Sequence, residues 1–191
     1  MVPSRRCASR SRTGGLTLSG NTARTPTAGS GNFYCTFLTA ADPTNHVAIS
    51  VQQLNGSTWA TVGSPQLATY TAGSSGHLTT KSTFSNMPST AVQFVTDLKM
   101  SPSGKLLAVA GSAGLQVFHF NGSYPITHYT ARLTTGGIDQ MFWDKANHLY
   151  AISRSTNSLF VFTVTPTSVK RAPGSPYTIN TPLNIAVRPE S

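Results

Sequence analysis

The sequence predicts an all-β chain built from a repeated four-stranded unit. Three observations carry that prediction. Asp97-Leu98-Lys99-Met100 through Leu106-Leu107-Ala108-Val109-Ala110 and Leu115-Gln116-Val117-Phe118 is echoed by Asp139-Gln140-Met141-Phe142-Trp143-Asp144, His148-Leu149-Tyr150-Ala151-Ile152 and Leu159-Phe160-Val161-Phe162. Each echo breaks into short apolar runs separated by Pro, Gly, Asn and Asp, the punctuation of strands and tight turns. Only 10% of the 191 residues are charged, and 38% are hydrophobic, so a sizeable core is available. Repetition at roughly forty residues, in short alternating strands, is the signature of β-propeller blades.

With strands A to D counted outward from the central channel, the middle unit is the plainest. Strand A covers Val95 to Met100, and Ser101-Pro102-Ser103-Gly104 turns the chain. Strand B covers Lys105 to Ala110, Gly111 to Gly114 makes the next turn, and strand C covers Leu115 to Phe120. Asn121-Gly122 then supplies the positive φ that a primed hairpin turn needs, and strand D runs from Ser123 towards Thr130.

The following unit repeats this order, with Ile138 to Trp143, His148 to Ser153 and Leu159 to Val164 as strands A to C. Pro173 and Pro176 interrupt its strand D, which is tolerable only at a sheet edge. The earlier unit places strand B at His46 to Gln52 and strand C at Gln66 to Ala72, with a long loop, Leu54 to Pro65, between them. Pro182 to Pro189 reads as one more inner strand. The expected division is therefore a basic arm, 1–32, and a partial propeller, 33–191, with blades at about 33–92, 93–135 and 136–180 and a lone inner strand at 182–189. Closed propellers have about four to eight blades, so further blades are expected as partners that close the ring.

The net charge of +9 is unevenly spread. Arg5, Arg6, Arg10, Arg12 and Arg24 lie in the arm, whereas residues 33–191 hold nine basic and five acidic side chains. No nucleic-acid motif or basic stripe accompanies the repeat, so no nucleic-acid partner is expected. The arm has almost no apolar periodicity and is expected to be loose. It also lacks the apolar run of about 7 to 15 residues that a secretory signal requires, and the chain carries no transmembrane span, which leaves localisation open. Cys7 and Cys35 form no metal or disulfide framework, and Cys35 is expected to be a buried structural thiol.

Taken together, Ser101-Pro102-Ser103-Gly104-Lys105-Leu106-Leu107-Ala108-Val109, Gly114-Leu115-Gln116-Val117-Phe118-His119-Phe120-Asn121-Gly122, His148-Leu149-Tyr150-Ala151-Ile152 and Pro173-Gly174-Ser175-Pro176-Tyr177 resemble the lactonase-type seven-bladed β-propellers with YVTN repeats. The resemblance covers residues 33–191 and implies the C-terminal part of a seven-bladed ring. It implies one of two activities: hydrolysis of a cyclic ester, as in 6-phosphogluconolactonase-like enzymes, or a non-catalytic scaffold for a ligand or protein partner.

Members of that family often carry a polar residue five positions before the Pro of the first turn. Counting back gives Asp97, Asp139 and Asn184, each expected near one mouth of the channel, where the strand B to C loops also open. The candidate catalytic residues are thus Asp97 and Asp139, to orient or deprotonate water. Arg154 and Arg132 are candidates to hold negative charge, Asn184 to donate a hydrogen bond, and Trp59 to stack on a sugar-like ligand. Both Asp side chains equally suit the capping of backbone N–H groups between blades. His46 and His148 occupy matching positions but lack the three or four converging ligands of a zinc site, so neither a metal nor a cofactor is expected. No Gly-x-Ser-x-Gly elbow, phosphate loop or dinucleotide fingerprint occurs.

Overall fold

The computed structural model describes residues 23–186 and the backbone of two short strands, β1 (Ala8–Arg10) and β2 (Leu16–Leu18), which pair antiparallel. The remaining arm residues, Cys7 among them, lie outside the described residues, as do Val187, Arg188 and Pro189 of the expected last strand, whose described residues 182–186 form no strand. The described part is all-β and contains no helix.

Three antiparallel sheets follow one another as an arc of propeller blades. The first contains β3 (Asn32–Ala41), β4 (His46–Asn55), β5 (Thr61–Ala72) and β6 (Leu78–Thr79). The second contains β7 (Val95–Met100), β8 (Leu106–Gly111), β9 (Gly114–His119) and β10 (Thr127–His128). The third contains β11 (Gln140–Trp143), β12 (His148–Ser153), β13 (Ser158–Thr165) and an outer strand in two pieces, β14 (Ser168–Arg171) and β15 (Tyr177–Thr178), both paired to β13. The break between those pieces falls at Pro173 and Pro176, which lack the N–H that a continuous ladder needs.

The middle sheet shows why its sequence reads as an unbroken apolar run. Leu107 and Val109 of β8 pack with Ala48, Leu67 and Phe118 towards the first blade. Their neighbours Leu106, Ala108 and Ala110 pack with Met141, Trp143, Leu149 and Phe162 of the third. A strand buried on both faces has no polar side to alternate with. Gly114, at φ 141°, marks the turn into β9, where a Cβ would run into the Thr134 carbonyl of the crossing to the third blade.

The first sheet departs from expectation. The segment read as a Leu54 to Pro65 loop is a long hairpin whose turn is confined to residues 56–60, with a register shift between Val51 and Gln53. Gly63 absorbs the irregularity at φ 68°, so the Gly and Pro that read as a loop mark a bulged strand. Residues 23–31 run beside this sheet: Ala23 and Ala28 pack on the cluster of Tyr34, Val51, Ala68 and Tyr70, and the Tyr70 hydroxyl donates to the Arg24 carbonyl at 2.8 Å. Burial pushes that hydroxyl up to about 12. Cys35 is free and half-buried rather than enclosed.

Candidate functional site

The turn between strands A and B sets the correspondence of the blades. The amides of Asp42, Ser101 and Asp144 donate to the carbonyls of His46, Leu106 and His148, so these three residues are equivalent. Pro102 is therefore not the counterpart of Asp144. Residues 102–105 form a turn one residue longer than 145–147, which shifts the alignment by one. Asp97 corresponds to Gln140, and Asp139 corresponds to Thr96 and Phe37.

That correction separates two roles. Asp97 ties one inner strand to the next, and Gln140 ties β11 to the segment 182–186, which forms no strand. Asp97 Oδ2 accepts the Met141 amide at 2.8 Å and Oδ1 accepts the Leu98 amide at 2.9 Å, with Lys99 Nζ 3.4 Å away. Gln140 Oε1 accepts the Ile185 amide at 2.7 Å. Both oxygens of Asp97 are thereby committed to backbone, the capping role open to it from sequence.

The other set converges. Phe37, Thr96 and Asp139, one from each blade, line a single open pocket of about 440 Å³ together with Leu38, Phe94 and Arg154. Register shifts in β3 between Thr36 and Thr39, and in β7 between Val95 and Asp97, bracket Phe37 and Thr96. A bulge turns a residue out of the ladder, which is how an inner strand presents one side chain to the channel. Phe37 and Phe94 are 53% and 67% exposed and meet edge to face at 6.4 Å.

Asp139 and Arg154 form the polar end. Asp139 Oδ2 accepts the Arg154 amide at 2.7 Å, and Oδ1 accepts Arg154 Nε at 3.1 Å. This grip on Nε leaves both Nη groups of Arg154 without a hydrogen bond among the described residues. An oriented guanidinium with open donors is suited to a planar anion. The pair is 56% exposed at Arg154 and 30% at Asp139, so it positions the side chain more than it stabilises the fold.

The remaining candidates lie apart from the pocket lining. Arg132 Nη1 donates to the Ala113 carbonyl at 3.0 Å, fastening the crossing between blades two and three. Trp59 sits at the tip of the β4–β5 hairpin at φ 61°, 62% exposed, with its ring 5.0 Å from Phe33. Asn184 is exposed beside the Gln140–Ile185 tie. Sequence reasoning missed Phe37 and Phe94. The available signal was the run Phe33 to Leu38, which breaks the period-two alternation where β3 bulges.

At the opposite end of the sheets, His46 and His148 each face the Asp four residues earlier, at 2.9 and 2.7 Å. Asp144 Oδ1 also accepts the Ala146 and His148 amides, and Oδ2 lies 3.1 Å from the Tyr150 hydroxyl. Burial pushes the Asp144 carboxyl up, but the His148 amide and ring and the Tyr150 hydroxyl outweigh it and hold the group below its ordinary value. Asp42 is held low in the same manner by His46 and Thr44, against the upward push of burial. Among the described residues no cluster of three metal-ligating side chains occurs.

No protein-family model matches the chain, and no curated protein matches it. Among solved structures it is similar to a Bacteroides fragilis protein provisionally named a 6-phosphogluconolactonase, at 13% identity and a TM-score of 0.41. That match covers 84% of this chain and 59% of the other, so the chain spans about three fifths of the length of the structure it matches.

Proposed function

We propose that the pocket between the inner edges of the three blades binds a small hydroxy-acid anion or the neutral lactone formed from it. The observation that carries this reading is the Asp139–Arg154 pair, which presents two open guanidinium donors to a pocket floored by aromatic and aliphatic side chains. In the lactonase reading, Asp139 accepts a proton from an attacking water and Arg154 holds the oxyanion that forms on the acyl carbon. The ring C–O bond then breaks and the proton returns to the departing alkoxide, leaving the open hydroxy acid. Asp97, tied to the Met141 and Leu98 amides and outside the pocket lining, takes no part.

A second reading is a non-catalytic ligand scaffold. It is favoured by the engagement of both Asp139 oxygens with Arg154, which leaves no carboxylate oxygen in the pocket free of a donor. A panel of lactones and their open acids decides. The lactonase reading expects turnover that Asp139→Asn abolishes and Asp97→Asn preserves. Binding of the acids, weakened by Arg154→Gln, with no turnover of any lactone establishes the scaffold. Binding of neither overturns the proposal.

A further inference from the structure

The pocket does not end at the aromatic pair. On the other side of Phe37 and Phe94 lies a narrower and more enclosed cleft of about 90 Å³, lined by those two rings with Leu54, Pro65, Val95 and Gln52. The bulged β4–β5 hairpin builds its far wall, since Gln52 Nε2 donates to the Val62 and Gly63 carbonyls at 3.2 Å and fixes that wall in place. The two spaces share Phe37, Phe94 and Val95 and so adjoin the same aromatic pair.

We infer that the site selects an amphiphilic ligand: a carboxylate, or a cyclic ester of the corresponding hydroxy acid, whose polar head meets Arg154 and whose short unbranched alkyl chain enters the Leu54–Pro65 cleft. Chemistry and size both argue for it. Ser50, Gln52 and Thr61 also line the cleft, but Phe37, Leu54, Pro65, Phe94 and Val95 make most of its wall, so a polyhydroxylated sugar chain would recover there only part of the hydration its hydroxyls lose. An apolar cavity of roughly 150 Å³ admits benzene, so the smaller cleft suits an alkyl chain better than an aromatic ring. Phe37 and Phe94 are the largest exposed apolar side chains of the pocket, and a chain lying across the touching pair would cover surface now left to water.

This inference rests on the anion-binding reading above and sharpens it to a ligand class. It is tested by calorimetric titration of the full chain with 4-hydroxyalkanoates of increasing length, beside gluconate and 6-phosphogluconate. Each methylene that enters the cleft is expected to tighten binding up to about fourfold until the cleft is full. Phe94→Ala should flatten that dependence while its melting profile stays that of the parent, and Arg154→Gln should weaken every acid alike. Tightest binding of 6-phosphogluconate, with no dependence on chain length, would overturn this inference while leaving the anion-binding reading intact. Silence from every acid would overturn both.

Discussion

Asp97 Oδ2 accepts the backbone amide of Met141 at 2.8 Å, so a carboxylate of one inner strand closes a donor of the next. Its other oxygen caps Leu98. Hydrogen bonds to a charged acceptor contribute about 1.5–3 kcal/mol each when the donors are sheltered. Asp97→Ala should therefore lower unfolding free energy by about 3–6 kcal/mol in urea titration, and Asp97→Asn by roughly half of that. Ligand binding by the folded fraction should stay unchanged, and a loss of binding without a loss of stability would place Asp97 in the site instead.

Asp139 should behave in the opposite way. Its partner Arg154 is more than half exposed, and exposed pairs contribute about 0–1 kcal/mol, so Asp139→Ala should leave the melting temperature nearly unchanged. Without its grip on Nε the guanidinium loses its orientation, and affinity for a carboxylate ligand should fall roughly three- to tenfold. Equal affinities in parent and variant would show that Asp139 does not position Arg154.

The doubly buried β8 makes a prediction about the arc. Leu107 belongs to the core shared with the first blade and Leu106 to the core shared with the third. Either Leu→Ala change should cost about 2–5 kcal/mol. Hydrogen exchange should distinguish them: Leu107→Ala is expected to loosen β4 and β5 first, and Leu106→Ala to loosen β12 and β13. The same loosened strands in both variants would mean that the middle sheet is not sandwiched between two others.

Acid should weaken the turns at the other end of the sheets. The folded-state pKa values of Asp42 and Asp144 lie below their ordinary value of 3.8. The stability each adds is present above that value and is lost as pH falls through the folded-state value. The gap in stability between the parent and Asp144→Asn, measured by denaturation across a pH series, should be constant near neutrality and shrink below about pH 4. A gap that fails to shrink below about pH 4 would contradict the assignment.

The sequence made the strand order legible because its turns carry their own chemistry: Ser101-Pro102-Ser103-Gly104 falls directly before β8, whereas Asn121-Gly122, with positive φ at Gly122 only, opens a longer loop that reaches β10 at Thr127 rather than a tight primed hairpin. It misled wherever a bulge intervened. Gly63 and Pro65 read as a loop because neither residue suits a regular ladder, yet β5 accommodates both. The one-residue difference between the turns at 102–105 and 145–147 likewise hid the correspondence of Asp139 with Thr96 and Phe37. Asp139 and Arg154 were legible as polar residues at one opening. The aromatic pair was not, because exposed Phe is invisible to a pattern that assigns apolar residues to the interior.

The central claim is that positions about fifty residues apart along the chain, Phe37, Thr96 and Asp139, meet at one ligand site. An amide NMR titration of the full chain with 4-hydroxyoctanoate tests it most directly. The account predicts that the amides of Leu38, Thr96, Asp139 and Arg154 shift together along one saturating curve. Shifts confined to the turns around His46 and His148, or shifts at these four amides that saturate at different concentrations, would contradict it.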